Sequence, residues 1–452
     1  MTTLVRRTTV ATIGATLLFG TASGTADAAD AADGRKPPEA TTSVKCEAAT
    51  SDREDLDRYD GRSASYMYDE RFKPGPDLRY SELSQFTPQG LTYWKNWDGK
   101  ADLLLATAYD SGTRDAIIVG LDPKRNDKSA TVGIVQLESY HAGGIALHGD
   151  WLFVSDGPHT IRTFKKSALR KAMRESQDSD TEKTPKIDPA RVTKHLYGTS
   201  FLTTDSGDRK LYAGLFNNKR RDWMYRYTIA GDGSLSLDRK DDGNGLRWEV
   251  PAKTQGVTLA GRRFIFSSSH IRTKRSNVWV TDSAETNLDK ASVRCFRAPS
   301  MAEGLATDGD NAYLLFESGS DEYNGNNGKR ARNVIDGANK AKLGDLTAIP
   351  GGRIHLGTLH SKNQQDSGGN DEITIKVEDQ KLGKNVQIDQ GDRKKIDKTV
   401  QFTGRVSVKL YERDPESGDD YLGEKTLDPG SGDGIMTFKK HGGHYRLSYK
   451  IG

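Results

Sequence analysis

Beyond the N-terminus, apolar residues come in short runs cut by turns rich in Gly, Asp and Ser. Runs of this length between such turns predict β-strands rather than helices. Five stretches share one layout: PQGLTYW followed by DLLLATAYD; AGGIALHGDWLFVSDG; GTSFLTTDSGDRKLYAGLFN; TQGVTLAGRRFIFSSSH; and AEGLATDGDNAYLLFESG. Each opens on small residues, runs through a short apolar strand, turns, and returns through a second strand rich in aromatic and aliphatic residues. With Gly90, Gly144, Ser200, Gly256 and Gly304 as equivalent positions, the steps are 54, 56, 56 and 48 residues. Two further strands usually follow, such as AIIVGLD and TVGIVQL, or NVWVTD and SVRCFRAP.

Four strands per unit, repeated at a near-constant step, predict an all-β chain built as a β-propeller. A lone four-stranded sheet cannot bury both faces, whereas a ring of sheets packs face to face and leaves only short edges. Five blades fit the spacing best. Six or seven stay open, because residues 46–85 and 320–358 are hard to parse. A ring must be closed, and residues 65–86 are the candidate for an N-terminal strand that completes the last blade. The propeller is expected over residues 46–359.

KKSALRKAMRES (Lys165 to Ser176) interrupts the second unit and predicts a charged, solvated helix followed by a polar loop. HSKNQQDSGGND predicts a linker over residues 360–370. Strands with alternating apolar and polar residues then predict a small β-sandwich over residues 371–452.

Composition adds a compartment. MTTLVRR, an apolar run too short to span a membrane, and an Ala26-Asp27-Ala28 site predict a signal peptide over residues 1–28. Arg6 and Arg7 are not followed at once by apolar residues, which favours the general export route over the twin-arginine one. Residues 29–45 read as unstructured. The chain is expected to be secreted and extracellular, without a transmembrane anchor, and monomeric. Its 67 basic and 63 acidic residues nearly balance, which argues against nucleic acid as a partner. The two cysteines, Cys46 and Cys295, are expected to form a disulfide in an oxidising compartment. Two buried free thiols are the alternative.

The chemistry is sparse. There is no G-x-S-x-G, no H-E-x-x-H and no phosphate loop. In a propeller, residues before the first strand and after the second crowd one rim of the channel. Here these are Gln89, His141, Thr199, Gln255 and Glu303, and Asp110, Asp156, Asn217, His270 and Glu317. Carboxylates and histidines so placed could hold calcium, with Glu303 as a ligand, or support hydrolysis through Glu303, His270 and Asp156. The bland alternative is a polar rim that bonds neighbouring blades. In the C-terminal module, VKLYERDPESGDDYLGE carries Glu412, Asp414, Asp419 and Asp420 around a turn. This resembles a calcium loop of calcium-dependent lipid-binding β-sandwich domains, and the resemblance implies calcium as a cofactor there. A solvated acidic hairpin turn is the alternative.

The Ala-rich export signal, a cysteine near the mature start, and blades opening on QGL- and GGIA-type stretches resemble secreted actinobacterial β-propeller proteins of the dispase autolysis-inducing type. That resemblance covers about residues 40–360. It implies a non-enzymatic role in binding an extracellular protein, such as a protease or transglutaminase. It also implies cross-linking through accessible glutamines, for which Gln177, Gln364 and Gln365 are candidates. A cell-wall component is the other partner in view. The competing function is a calcium-dependent hydrolase of lactonase or phosphoesterase type.

Overall fold

The computed structural model of the chain describes residues 44–50, 59–110, 112–113, 115–138, 141–178, 184–205, 207–365, 370–413 and 418–452. The expected signal peptide, nearly all of the expected unstructured segment, and Asp414 lie outside these residues.

The fold is a β-propeller followed by a β-sandwich. Five sheets follow one another along the propeller, each built on an antiparallel meander whose inner strand comes first. The inner strands are Thr87–Trp94, Ile145–His148, Phe201–Asp205, Thr254–Ala260 and Ala302–Thr307. Small residues let these strands approach one another. A Cβ on Gly90 would meet the Gly143 carbonyl oxygen at 2.5 Å, and one on Gly144 would meet Leu202 N at 2.7 Å. A Cβ on Gly304 would lie 2.3 Å from Leu91 N, so the last inner strand packs on the first and the ring closes. The equivalent glycines of the sequence repeat are thus the contact points between neighbouring sheets.

Closure also uses the strand Lys73–Asp77, which pairs antiparallel with Gly337–Lys342 as the outer strand of the last sheet. It lies inside the segment expected for this task. Its sequence, KPGPD, suits an edge, because proline has no N–H to give to a further ladder. The cores lie between sheets and are filled by alternate strand residues, such as Ile265, Val278, Val280, Leu305 and Leu314 between the last two.

Cys46 and Cys295 form the expected disulfide, across a sequence separation of 249 residues. Cys295 lies in the outer strand Val293–Ala298 of the fourth sheet. Residues beside Cys46 extend that edge: Glu47 N–H donates to Cys295 C=O at 2.8 Å, and Arg297 N–H to Glu47 C=O at 2.9 Å.

Two expectations are corrected. The helix Lys166–Asp178 is not a solvated decoration, because Leu169, Ala172 and Met173 are buried in the core shared by the first two sheets. Their i, i+3, i+4 spacing makes one apolar stripe. Met173 Sδ fills the space that side chains at Gly120 and Gly133 would occupy. Secondly, the sandwich starts well before residue 371. The strand Gly351–Asn363 is a central strand of one of its sheets, flanked by Arg393–Thr403 and Gly443–Ile451, with Gly434–Lys440 at the edge. The expected linker 360–370 therefore begins as strand. The facing sheet carries Asp371–Val377, Val406–Glu412 and Asp420–Leu427, and Ile354, Leu359, Ile375, Val408, Phe438 and Leu447 fill the space between.

The sandwich packs on the fourth sheet. Cys295 N–H donates to Thr403 Oγ1 at 2.8 Å, and Arg405 lies 3.9 Å from the Tyr66 ring centroid. Arg275 donates to the carbonyls of Ala48 and Ala64 and pairs with Asp379 of the sandwich.

Candidate functional site

Each blade's first strand enters, and its second leaves, on the same side of the ring, so the ten polar positions fall together. At the junction of the last and first sheets, Gln89 Nε2 donates to Glu317 Oε2 at 3.2 Å. Between the first and second, the rings of Tyr109 and His141 meet edge to face, with centroids 4.5 Å apart. Between the second and third, Thr199 Oγ1 donates to Gly157 C=O at 2.7 Å. Between the third and fourth, Lys253 N–H donates to Asn217 C=O at 2.8 Å. Between the fourth and fifth, Gln255 Nε2 donates to Glu303 Oε1 at 2.9 Å. Every sheet-to-sheet junction is sealed by a rim contact.

Glu303 and Glu317 form a carboxyl pair at the rim. Glu303 is 2% exposed and its carboxyl donates a hydrogen bond to Glu317. Burial, then the charge of Glu317, holds the Glu303 carboxyl well above the usual carboxylate range. Burial likewise pushes Glu317 up to about 8. Tyr109 and Tyr323 flank the pair; burial and then the Glu317 charge raise both phenols. This arrangement holds a proton between two carboxyl groups, as two like charges at contact must.

The other rim groups are engaged elsewhere. Asp156 pairs with Arg162 Nε at 2.7 Å, and Asp110 caps its own turn by accepting from Gly112 N–H at 2.7 Å. Asn217 Nδ2 donates to Asp222 Oδ2 at 2.9 Å. His141 is held low by burial, which the nearby Asp156 opposes. His270 stands beside Phe216, ring centroids 5.9 Å apart, and is lowered by burial and then by Lys253. Glu303, His270 and Asp156 belong to three different junctions, each with its own partners. Among the described residues, no three His, Cys, Asp or Glu side chains gather as a metal group.

In the sandwich, Glu412 ends its strand buried and stands opposite Asp420 across the hairpin. Asp419 is exposed. Asp420 accepts from the side-chain amide of Gln365. Gln365 also donates its N–H to Asp371 Oδ2 at 2.9 Å, so it is tied into the sandwich rather than free in a linker. Gln364 is half-buried, and Gln177 is exposed in the last turn of the helix Lys166–Asp178, not in the loop after it.

Pattern reading missed Tyr109 and Tyr323, although strand alternation places Tyr109 on the face of Leu103 and Leu105 that meets the second sheet. It also missed two buried carboxylates at the joint with the sandwich, Glu47 and Glu378. Burial pushes Glu47 up to about 8. Glu378 accepts from the Ala48 and Ser407 N–H groups. An isolated glutamate in a polar stretch carries no signal of burial.

No family model matches the chain, and no curated protein matches it in sequence. Among solved structures the chain is similar to Kuenenia stuttgartiensis hydrazine synthase, with 12% identity and a TM-score of 0.30 over 51% of this chain and 55% of that one. It thus spans about half the length of that protein. It is similar to the Dos1 propeller, with 12% identity and a TM-score of 0.24 over 91% of this chain and 95% of that one. It is also similar to a C2 domain, with 13% identity and a TM-score of 0.18 over 22% of this chain and 97% of that one.

Proposed function

We propose that the chain is a secreted, non-enzymatic binding protein whose propeller engages an extracellular protein, such as a protease or transglutaminase, or a cell-wall component. One observation carries this: the rim carboxylates are already engaged by the protein itself, Glu303 and Glu317 across sheet junctions and Asp156 and Asp110 within their own blades. An acid–base pair that works on substrate needs access, and Glu303 has almost none. The disulfide suits an oxidising compartment, and among the described residues no helix is long and apolar enough to cross a membrane.

The test is retention. The full chain is immobilised and exposed to culture supernatant and to isolated wall polymer. Capture of a defined component supports the proposal; capture of neither overturns it. The hydrolase alternative predicts calcium-dependent turnover of a lactone or phosphoester that Glu303→Gln removes. Calcium at loop 412–420 predicts a melting temperature that rises with calcium, by ligand linkage, and loses that rise in Asp414→Asn.

A further inference from the structure

The sandwich has two outer faces, and they differ in charge. On the face built from Asp371–Val377, Val406–Glu412 and Asp420–Leu427, charges are mixed and paired. Lys409 meets Asp379 at 2.6 Å, and Arg413 meets Glu372 at 3.4 Å. The other face has paired charges too, Lys395 with Asp397 and Lys394 with Asp392, and beside them a cluster of cations. Side chains alternate along its strands, so Leu359, Ser361, Phe438, Tyr445 and Leu447 point inward. Their neighbours form cross-strand rows on the outside.

In one row, His360 stands between Arg393 on one strand and Arg446 on the other. In the next, His444 stands opposite Lys439, with Lys362 on the adjoining strand. These six side chains feel one another. His360 is held low by desolvation and then by Lys362, Arg393, Arg446 and His444; His444 is held low by desolvation and then by Lys439, Arg446 and Lys362. On the same sheet Asp397 pairs with Lys395 at 2.8 Å and faces His355, and Asp392 pairs with Lys394 at 3.0 Å, but among the described residues no ion pair reaches Lys362, Arg393, Lys439 or Arg446. The register sets a histidine held low, not a second cation, opposite Arg393, Arg446 and Lys439. This limits the repulsion that directly opposed like charges would cause and leaves the four cations open to an external anion.

We propose that this outer sheet face is a docking platform for a linear polyol-phosphate polymer of the cell-wall type, with a phosphodiester in every repeat and no bases. Alternate residues on a strand are about 7 Å apart and neighbouring strands about 5 Å, so the rows form a ladder of cations rather than one pocket. A ladder fits an extended polyanion better than a single small anion. Charge complementarity is the ground for the assignment, and it deepens the binding reading above by naming a cell-wall-type partner for the sandwich rather than the propeller.

The probe is poly(glycerol phosphate), offered to the full chain at several salt concentrations. Binding is expected to weaken steeply with salt, as counterion release requires. Lys362→Gln with Arg446→Gln should cost roughly tenfold in affinity and flatten the salt dependence. Lys381→Gln with Lys384→Gln, on the other sheet, should change little. Binding should tighten from pH 7 to pH 5 as His360 and His444 take up protons beside the polymer. No binding at low salt, equal loss in both double variants, or tighter binding to phosphatidylglycerol vesicles than to the polymer would overturn the proposal. If the polymer fails while the immobilised chain still captures an extracellular protein, this inference falls and the binding reading stands.

Discussion

Glu303 and Glu317, at the two ends of one inner hairpin, share a hydrogen bond beneath Tyr109 and Tyr323. The pair is anchored to the neighbouring sheets through Gln255 and Gln89. One proton therefore supports the seal of two ring junctions.

That proton makes stability depend on pH. Both carboxyls have folded pKa values raised by burial, Glu317 to about 8. A raised folded value means stability that is full below the unfolded pKa and lost as pH rises through the folded one. Melting temperature should therefore fall between about pH 5 and pH 9. Glu303→Gln keeps a donor toward Glu317 and removes one titrating group. It should flatten this fall and stabilise the protein at pH 9 by on the order of 1–3 kcal/mol. Thermal melts across pH decide it; an unchanged slope in the variant would sink the idea.

Ring closure rests on Gly304. A side chain there strikes the backbone of Gln89, Gly90 and Leu91. Gly304→Val should cost at least about 3 kcal/mol or prevent folding. Gly344→Ala meets nothing within 4 Å and is the control, expected within about 1 kcal/mol of the parent. Denaturant melts of both proteins give the comparison.

The disulfide closes a very long loop and fastens the edge strand that leads to the closing strand. Cys46→Ser with Cys295→Ser should lower stability by about 2–5 kcal/mol. The wild type under reductant should melt where the double variant melts. Equal melting of the oxidised wild type and the variant would contradict this.

The helix Lys166–Asp178 should answer to mutation as core does on one side only. Met173→Ala is expected to cost about 2–4 kcal/mol, since its sulfur fills the space over Gly120 and Gly133. Lys171→Ala, on the exposed side, should change stability by less than about 0.5 kcal/mol. Equilibrium unfolding monitored by circular dichroism separates the two.

The repeat of small residue, strand, turn and strand was legible without coordinates, because blade structure is local and imposes its period directly on the chain. The equivalent small residues marked the repeat, the N-terminal segment marked closure, and two cysteines allowed one intramolecular bridge. Other features depended on neighbours distant in sequence. GGRIHLGTLHSKN falls partly in a stretch hard to parse and partly in the expected linker; only pairing with Arg393–Thr403 and Gly443–Ile451 makes it central to a sheet. Glu303 and Glu317 read from sequence as rim carboxylates, with Glu303 able to hold calcium or take part in hydrolysis. Contacts from Gln89 and Gln255, which lie more than 200 and nearly 50 residues away in sequence, make them part of the ring's seam. The row Arg393, His360, Arg446 comes from three separate strands. Hydrophobic periodicity reports which face of a strand is buried, but cross-strand register, which sets what each outward side chain meets, exists only once the chain has folded.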